Sequence, residues 1–357
     1  MSVQDPPGPA ARLVAVVVTH NRLDKLKQTL ARLLEAPAGV LSAVVVVDNA
    51  STDGTAAWLA ARDDARLTVR RSEHNLGGAG GFETGLRLAA ARFDPDWMVV
   101  MDDDAHPAPG ALEAFFAVPR PDDVACAAAV YFPDGRICEM NRPSVNPFWN
   151  LRVFLRTLAR GRDGYHIDYG DYDADAPRPI DLTSFVGLFL SRRIVRAAGF
   201  PDGGLFLYGD DVIYTLSLRR HGLKIVFDPS VRFEHDCSTF ENDRKRVFRP
   251  LWKVYYTYRN GLIMYHKAAG ALFWPLLVLL AVKWRLAAGR YGVDKARYLR
   301  LYRRALRDGV RSRTDRPHSE ILALAKGEMP LSEPVTGSEY RDDTGPEEPA
   351  PSPEGRG

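Results

Sequence analysis

Trp97-Met98-Val99-Val100-Met101-Asp102-Asp103-Asp104 combines a strand pattern with a cluster of carboxylates. The five apolar residues are typical of a buried central strand in a parallel sheet. The three aspartates after them would repel one another beside a core, and their oxygens suit a hard divalent cation. The alternative is a polar strand exit whose aspartates cap a helix. The segment therefore predicts a metal site, or a capping site, at the carboxyl end of a central strand.

The composition is that of an ordinary soluble protein of 357 residues, with 26% charged residues and a formal net charge of +3. This length predicts one large α/β domain with appendages. Its cysteines, Cys126, Cys138 and Cys237, form no closely spaced pair. That spacing argues against a disulfide framework or a zinc motif and fits a reducing, cytoplasmic compartment. Residues 1–12 lack the basic and apolar regions of a secretory signal.

Strand and helix patterns alternate along the first hundred residues. Apolar runs predict strands at residues 13–18, 44–47, 67–69 and 97–101. Helical spacing or composition predicts helices between them at residues 23–34, 55–61 and 83–92. This order predicts a doubly wound, mostly parallel α/β sheet. Because ligands bind beyond the carboxyl ends of such strands, the polar loops at residues 19–22, 48–53 and 102–104 are expected to converge on one site.

A glycine-rich segment, residues 75–81, precedes the third predicted helix. It does not follow the first strand and lacks the spacing of a dinucleotide-binding fingerprint. The glycines indicate either close approach of the backbone to a phosphate or sugar, or a tight packing loop. Both interpretations remain open.

A second acidic pair, Asp210 and Asp211, follows a predicted aromatic strand and precedes a helix predicted over residues 212–221. Carboxylates there either cap the helix or form a functional pair. His235 ends another predicted strand, where it is either structural or a metal ligand. Residues 142–181 look irregular, and a loop of that length is usually functional or disordered.

Taken together, these elements resemble the family 2 glycosyltransferases, which have the nucleotide-sugar-binding GT-A fold. The resemblance covers about residues 13–265. It rests on four motifs: residues 18–22, residues 47–54, the triplet at 102–104, and Gly209-Asp210-Asp211 before a helix. Within the family, residues 75–82 and 256–260 are similar to the galactofuranosyltransferases of cell-wall galactan synthesis. Rhamnosyltransferases share parts of both segments.

The resemblance implies a role for each matching residue. Asp211 matches the catalytic base, and Asp210 lies beside it in the acceptor site. Asp102 and Asp104 match the D-x-D pair that holds Mn²⁺ or Mg²⁺ on the donor diphosphate, and His235 matches a histidine that joins the metal. The implied donor-binding residues are Thr19, Asn21, Arg22, Asp48, Asn75, Gly77, Gly78, Gly80 and Asp103.

The implied reaction is inverting, metal-dependent transfer of a sugar to a hydroxyl of a glycan or polyprenyl-diphosphate-linked acceptor in cell-wall or surface polysaccharide synthesis. UDP-galactofuranose is the expected donor, and dTDP-rhamnose is the alternative. A non-catalytic sugar-binding protein on the same fold would not need both acidic sites. A nucleotidyltransferase would carry a Gly-rich basic loop after the first strand, which residues 19–22 do not provide.

The C-terminal third predicts a basic, partly apolar helical extension at residues 266–316, after a catalytic domain at 13–265. Its apolar run, 268–282, contains Pro275, is short for a spanning helix, and is followed by many cations. We expect it to lie on the anionic, cytoplasmic face of the inner (plasma) membrane, or alternatively to pack on the catalytic domain. No nucleic-acid partner is expected, because no reading motif is present. Residues 1–12 are predicted to be flexible and 327–357 disordered.

Overall fold

The structure is a computed structural model that describes residues 12–237 and 247–328. The predicted flexible N-terminus lies outside the described residues apart from Arg12. The predicted disordered tail lies outside them from residue 329 onward. Gly327, where that tail was predicted to begin, instead ends the last helix in a left-handed conformation.

A nine-stranded mixed sheet forms the centre of the described chain, in the order β3-β2-β1-β4-β8-β6-β9-β5, with β7 paired to β9. The strands are β1 Leu13–Thr19, β2 Leu41–Asp48, β3 Leu67–Arg71, β4 Trp97–Asp102, β5 Ala105–Pro107, β6 Val124–Tyr131, β7 Arg178–Ile180, β8 Leu188–Ser191 and β9 Lys224–His235. The first four are mutually parallel, as predicted, whereas β8 runs antiparallel to both of its neighbours. The α/β prediction is confirmed.

Helices cover both faces of the sheet and continue after it. They are α1 Leu23–Glu35, α2 Thr55–Ala60, α3 Gly77–Phe93, α4 Ala111–Ala117, α5 Leu151–Arg160, α6 Arg192–Ala198, α7 Asp210–Arg220, α8 Lys253–Ala269, α9 Phe273–Ala287, α10 Lys295–Val310 and α11 His318–Lys326. Two of these helices differ from the sequence predictions. Helix α3 begins at Gly77 rather than near residue 83, and α5 lies in the segment predicted to be irregular.

The early start of α3 follows from how closely it packs on the sheet. A Cβ atom on Gly81 would lie 2.5 Å from Val18 Cγ1, and one on Gly85 would lie 2.4 Å from Val16 Cγ1. Both valines are buried in β1. Glycine is a poor helix former, but here only glycine lets the helix approach the strand. Tertiary packing therefore overrides local propensity.

The C-terminal helices pack on one another and on the sheet domain. Tyrosines of α8 and α10 share a buried cluster, and the hydroxyl of Tyr255 donates to Asp308 Oδ2 at 2.9 Å. Because α8 begins at Lys253, this helical layer starts before the predicted boundary at residue 265.

The helical run Lys253–Val310 contains an 18-residue window that is long and apolar enough to cross a membrane, and 11% of that window is buried. This differs from the expectation that the apolar run is too short, because helix continues on both sides of residues 268–282. Length and composition alone are weak evidence, since core helices of soluble proteins pass the same test.

Candidate active site

A cavity of about 660 Å³ opens at the carboxyl ends of β1 and β4. Strand ends, the start of α3 and the start of α7 converge there, as the parallel order predicts. Eleven of the fourteen predicted site residues line it: Thr19, Arg22, Asn75, Gly77, Gly78, Asp102, Asp103, Asp104, Asp210, Asp211 and His235. The structure thus gathers residues that are more than 200 positions apart in the chain.

Two predicted donor residues support the loops instead of lining this cavity. The Oδ1 atom of Asn21 accepts a hydrogen bond from the backbone N–H of Thr52 at 2.7 Å, which ties two loops together. Asp48 is fully buried, and its Oδ1 accepts from the backbone N–H of Ser51 at 2.9 Å. Asn49 follows Asp48 and lines the cavity in its place. Asn21 and Asp48 therefore hold the loops together in this structure, and their donor contacts stay predictions.

The structure supports the packing interpretation for two residues of the glycine-rich segment. Gly77 has φ of +71°, and a Cβ there would lie 2.0 Å from the carbonyl oxygen of Phe206. Gly80, the third predicted donor residue outside the cavity wall, packs against Leu76, where a Cβ would come within 2.7 Å. Gly78 lines the cavity, and a Cβ there would meet nothing within 4 Å. Gly77 and Gly80 are thus explained by packing, whereas Gly78 borders open space.

The predicted metal ligands form one compact group. Single ligand atoms of Asp102, Asp104 and His235 all lie within 4.8 Å of one another. His235 Nε2 is 3.2 Å from Asp104 Oδ1, and Arg22 Nη1 is 2.5 Å from Asp104 Oδ2. Burial, with repulsion from Asp104 and Asp103, raises the pKa of Asp102 to about 7. Carboxylates that repel one another in a buried site favour a bound cation.

The neighbours of His235 also suit a metal site. His235 Nδ1 lies 2.7 Å from Asn141 Oδ1, while the Asn141 amide nitrogen donates to Ser184 Oγ at 2.8 Å. This network assigns a proton to Nδ1 and points Nε2 toward the aspartates. Metal-binding histidines are oriented in this way by a second hydrogen bond. The donor set of two carboxylates and an imidazole fits Mn²⁺ or Mg²⁺.

A second group, Cys138, His235 and Cys237, shares the same histidine. The two sulfur atoms are 3.8 Å apart, although their residues are far apart in sequence. Burial, followed by repulsion from Cys138, raises the pKa of Cys237 to about 12. Because thiols bind metals as thiolates, this environment disfavours a sulfur site and favours the carboxylate group.

Asp103, the middle residue of the triplet, joins the ends of two strands. Its Oδ2 accepts from the hydroxyl of Thr19 at 2.7 Å, and both side chains are buried. Burial raises the pKa of Asp103 to about 6. The pair holds the exit of β1 against that of β4 while forming part of the cavity wall.

The second acidic pair begins α7, directly after Gly209. Burial raises the pKa of Asp211 to about 6. Burial and then the charges of Asp211 and Asp102 raise the pKa of Asp210 well above its ordinary value. Asp210 and Asp211 line the same cavity as Asp102. A carboxyl group with a pKa near neutrality is well matched to general-base chemistry.

Helix α8 holds the loop that carries this pair. Phe206 and Tyr208 have φ of +64° and +70°, which is costly for residues other than glycine, at about 1–3 kcal/mol each. The Asn260 amide nitrogen lies 2.8–3.0 Å from the carbonyl oxygens of Leu205, Leu207 and Tyr208. Fully buried Arg259 donates to the carbonyl oxygens of Gly204 and Leu205. Sequence reasoning used residues 256–260 only as a family motif, and their positioning role was missed.

The aromatic wall of the cavity was also missed. The ring of Phe206 stacks on His318 at 4.1 Å and on Tyr256 at 4.8 Å between centroids. Trp252, Phe206 and His318 all line the cavity. Aromatic faces pack well against flat or apolar groups of a ligand. The sequence held no signal for this wall, because its members come from three separate elements.

Comparison with known proteins now identifies the family. Residues 14–172 match the model for glycosyl transferase family 2. The chain is 31% identical over 184 residues to undecaprenyl-phosphate mannosyltransferase of Micrococcus luteus, an alignment that covers 48% of this chain and 70% of the relative. The chain belongs to glycosyltransferase family 2. It is a glycosyltransferase with the α/β fold of the GT-A class, as predicted.

Other glycosyltransferases in the comparison include the type named by the resemblance. The chain is 29% identical over 270 residues to galactofuranosyltransferase GlfT1 of Mycobacterium tuberculosis, covering 69% of this chain and 79% of the relative. Among solved structures, the mannosyltransferase PcManGT from Pyrobaculum calidifontis, in complex with GDP-Man and Mn²⁺, matches with a TM-score of 0.46 and 20% identity. That match covers 90% of this chain and 82% of that chain. The predicted similarity to galactofuranosyltransferases is confirmed.

Proposed function

We propose that this glycosyltransferase is an inverting, divalent-metal-dependent galactofuranosyltransferase that uses UDP-galactofuranose in cell-wall polysaccharide synthesis. One observation gives the main support for this proposal. A single cavity holds a carboxylate–imidazole group suited to a cation and a pair of carboxyl groups with raised pKa. The 29% identity to GlfT1 supports the choice of sugar. A non-catalytic sugar-binding protein would have no use for the second acidic group.

The chemistry follows from these positions. Asp102, Asp104 and His235 would hold Mn²⁺ or Mg²⁺, which supplies Lewis-acid stabilisation of the diphosphate leaving group. Asp211 accepts the proton of the acceptor hydroxyl while the oxygen of that hydroxyl bonds to the anomeric carbon of the donor sugar. The bond from that carbon to the diphosphate oxygen breaks, and its electron pair leaves with the nucleoside diphosphate. Attack opposite the leaving group in one step inverts the anomeric configuration.

We also propose that the protein lies on the cytoplasmic face of the plasma membrane, through exposed apolar residues of two helices. The apolar residues that α9 exposes are Trp274, Val278, Leu279, Val282 and Leu286, each 55–75% accessible. Lys283 and Arg285 lie on the same helix. Apolar side chains beside cations suit the interface of an anionic leaflet.

Helix α5 adds a second such face. Leu151, Leu155 and Leu158, at spacings of four and three residues, are 56–72% exposed. They lie on one side of the helix, and arginines 152, 156 and 160 lie on the other. Phe148, just before α5, packs in one cluster with Phe273 at the start of α9. This packing brings the start of α5 near the start of α9, which supports one lipid-facing surface.

A donor screen tests the proposed reaction. Thermal unfolding of the full chain is measured with Mn²⁺ and UDP-galactofuranose, dTDP-rhamnose or UDP-galactopyranose, and transfer to an acceptor is followed by mass spectrometry. We expect UDP-galactofuranose to give the largest stabilisation and the transferred sugar, with both effects lost in EDTA. A larger shift with dTDP-rhamnose would assign rhamnosyl transfer instead. Absence of any nucleotide-sugar effect would favour the non-catalytic alternative.

A further inference from the structure

A second cavity, of about 560 Å³, lies between α7 and α8. Asp210 lines this cavity and also the donor-side cavity described above. The second cavity therefore reaches the acidic pair from the other side. The proposed reaction needs an acceptor to approach Asp211 from a side that the donor does not fill, and this cavity provides such an approach.

The walls of the second cavity carry two cations that lack an ion-pair partner among the described residues. Lys267 of α8 and Arg220 of α7 both line it. Among residues 12–237 and 247–328, neither has a hydrogen bond or an ion pair within 4.0 Å. Burial, and then the charge of Arg220, lower the pKa of Lys267, while Asp202 acts in the opposite direction. Two neighbouring cations that oppose each other's charge favour a bound anion.

The carboxylates of the cavity form their contacts with other groups than these two cations. The other titratable groups of the cavity are Asp202, Asp210, Tyr214, His221 and His266. Asp202 already accepts from the hydroxyl of Thr314 at 2.9 Å and from the backbone N–H of Gly204 at 2.9 Å. Asp210 borders the donor-side cavity as well, beside Asp211. Among the described residues neither carboxylate of the cavity forms an ion pair within 4.0 Å with Arg220 or Lys267, so both cations can contact an anion.

The cavity adjoins the proposed membrane surface. Lys267 lies in the last turn of α8, and α9 begins six residues later at Phe273. The neighbouring His266 packs its ring against Phe273, with centroids 4.7 Å apart. An anion bound at Lys267 would thus lie between the acidic pair and the apolar face of α9. An acceptor with a sugar at one end, a phosphate in the middle and a lipid at the other end fits this order of environments.

We propose that Arg220 and Lys267 bind the phosphate or diphosphate group of a lipid-linked acceptor in the second cavity. The proposal rests on the proposed function, because it assigns the acceptor side of the same site. Charge-assisted hydrogen bonds from a guanidinium and an ammonium group are the strong contacts that phosphate oxygens form in proteins.

The test compares Arg220→Gln and Lys267→Met with Lys224→Met, which removes an exposed cation outside both cavities. Each full-length variant is assayed with a polyprenyl-diphosphate-linked acceptor and with a neutral alkyl glycoside of the same sugar. We expect each cavity variant to raise KM for the diphosphate acceptor by about tenfold or more. KM for the neutral acceptor, KM for the donor and the unfolding temperature should remain as in the unaltered protein.

Inorganic pyrophosphate provides a readout that needs no sugar transfer. Calorimetry should detect its binding to the unaltered protein and to Lys224→Met, and lose it in Lys267→Met. If pyrophosphate does not bind, and the cavity variants lose only attachment to phosphatidylglycerol vesicles, the two cations contact membrane lipid and the proposal is overturned. Equal rises in donor KM would also overturn it. If the unaltered protein transfers no sugar yet binds pyrophosphate through Lys267, the proposed reaction fails while the anion site stands.

Discussion

At the scale of single residues, the acidic side chains of the cavity differ in their electrostatic surroundings. Burial works against ionisation of Asp104, but its hydrogen bond to His235 and the charges of His235 and Arg22 lower its pKa. Burial without such partners raises the pKa of Asp211 to about 6. One carboxylate is thus held ionised, whereas the other can exchange a proton near neutrality. Active sites that use one carboxylate as a metal ligand and another as a general base keep the pKa values of the two groups apart in this way.

The first prediction concerns Asp211. Its raised pKa means that the carboxylate form is lost as pH falls through about 6. We expect kcat/KM to be level at pH 7–8 and to fall about tenfold per unit below pH 6. Asp211→Asn should reduce kcat by at least about 10²-fold while UDP still binds, because only the base is removed. The surface variant Asp175→Asn is the control, and near-normal turnover of Asp211→Asn would remove Asp211 from this role.

The second prediction concerns the metal group. Asp104→Asn should weaken Mn²⁺-dependent binding of UDP by at least about tenfold, because it removes one of three grouped ligands. Calorimetry with and without Mn²⁺ measures this, and Asp134→Asn, an exposed residue in a turn, serves as the control. Unchanged affinity in the presence of Mn²⁺ would contradict a metal site at this position.

At the scale of elements, buried strands could be predicted from the sequence, whereas turns held by distant side chains could not. The apolar run of β4 is recognisable because both of its faces are buried. The aromatic segment 205–208 was also predicted to be a strand, and this was wrong. Asn260, more than fifty residues later, holds that segment as a turn with left-handed residues. Local patterns carry no information about such a distant hydrogen-bonding partner.

Helix α5 shows a different limit of secondary-structure prediction from sequence. Asn150 caps it, accepting from the backbone N–H groups of Arg152 and Val153. Its leucines recur at helical spacing, so the signal was present. The Tyr-, Asp- and Gly-rich residues after it made the whole segment look irregular.

The third prediction concerns the exposed face of α5. Replacing Leu151, Leu155 and Leu158 together with serine should lower the fraction of protein bound to phosphatidylglycerol vesicles at low salt by several-fold. The unfolding temperature should not fall, because these side chains are exposed. Sedimentation with vesicles measures the bound fraction. Val69→Ser, an exposed apolar residue on β3, is the control, and undiminished binding of the triple variant would exclude α5 from the membrane surface.

At the scale of the whole molecule, the C-terminal helices are part of the fold that forms the site. Helix α8 supports the loop before α7, and α10 in turn packs on α8 so closely that a Cβ on Gly309 would lie 2.9 Å from Leu262 Cβ. Arg316 Nε lies 2.5 Å from Asp308 Oδ2, which also accepts from Tyr255. The division at residue 265 stays a prediction, and these contacts argue that it does not separate independent units.

The fourth prediction follows from this packing. A chain that ends at residue 265 should fail to unfold cooperatively, because it leaves the buried tyrosine cluster of α8 without its partners on α10. A chain that ends at residue 328 should keep the unfolding temperature of the full protein. Circular dichroism on heating measures both truncations. A shorter chain that melts cooperatively at the temperature of the full protein would make residues 13–265 an independent domain.

Asp210 borders two cavities, and this has a consequence for the order in which products depart. In the proposed arrangement the nucleotide lies on one side of the acidic pair and the lipid-linked acceptor on the other, so each could leave without passing the other. The nucleoside diphosphate could then be exchanged for fresh donor while the lengthened acceptor stays bound at the proposed site beside Lys267. If so, several sugars could be added in one encounter, and the position of Asp210 between the cavities would affect the distribution of product lengths as well as the rate.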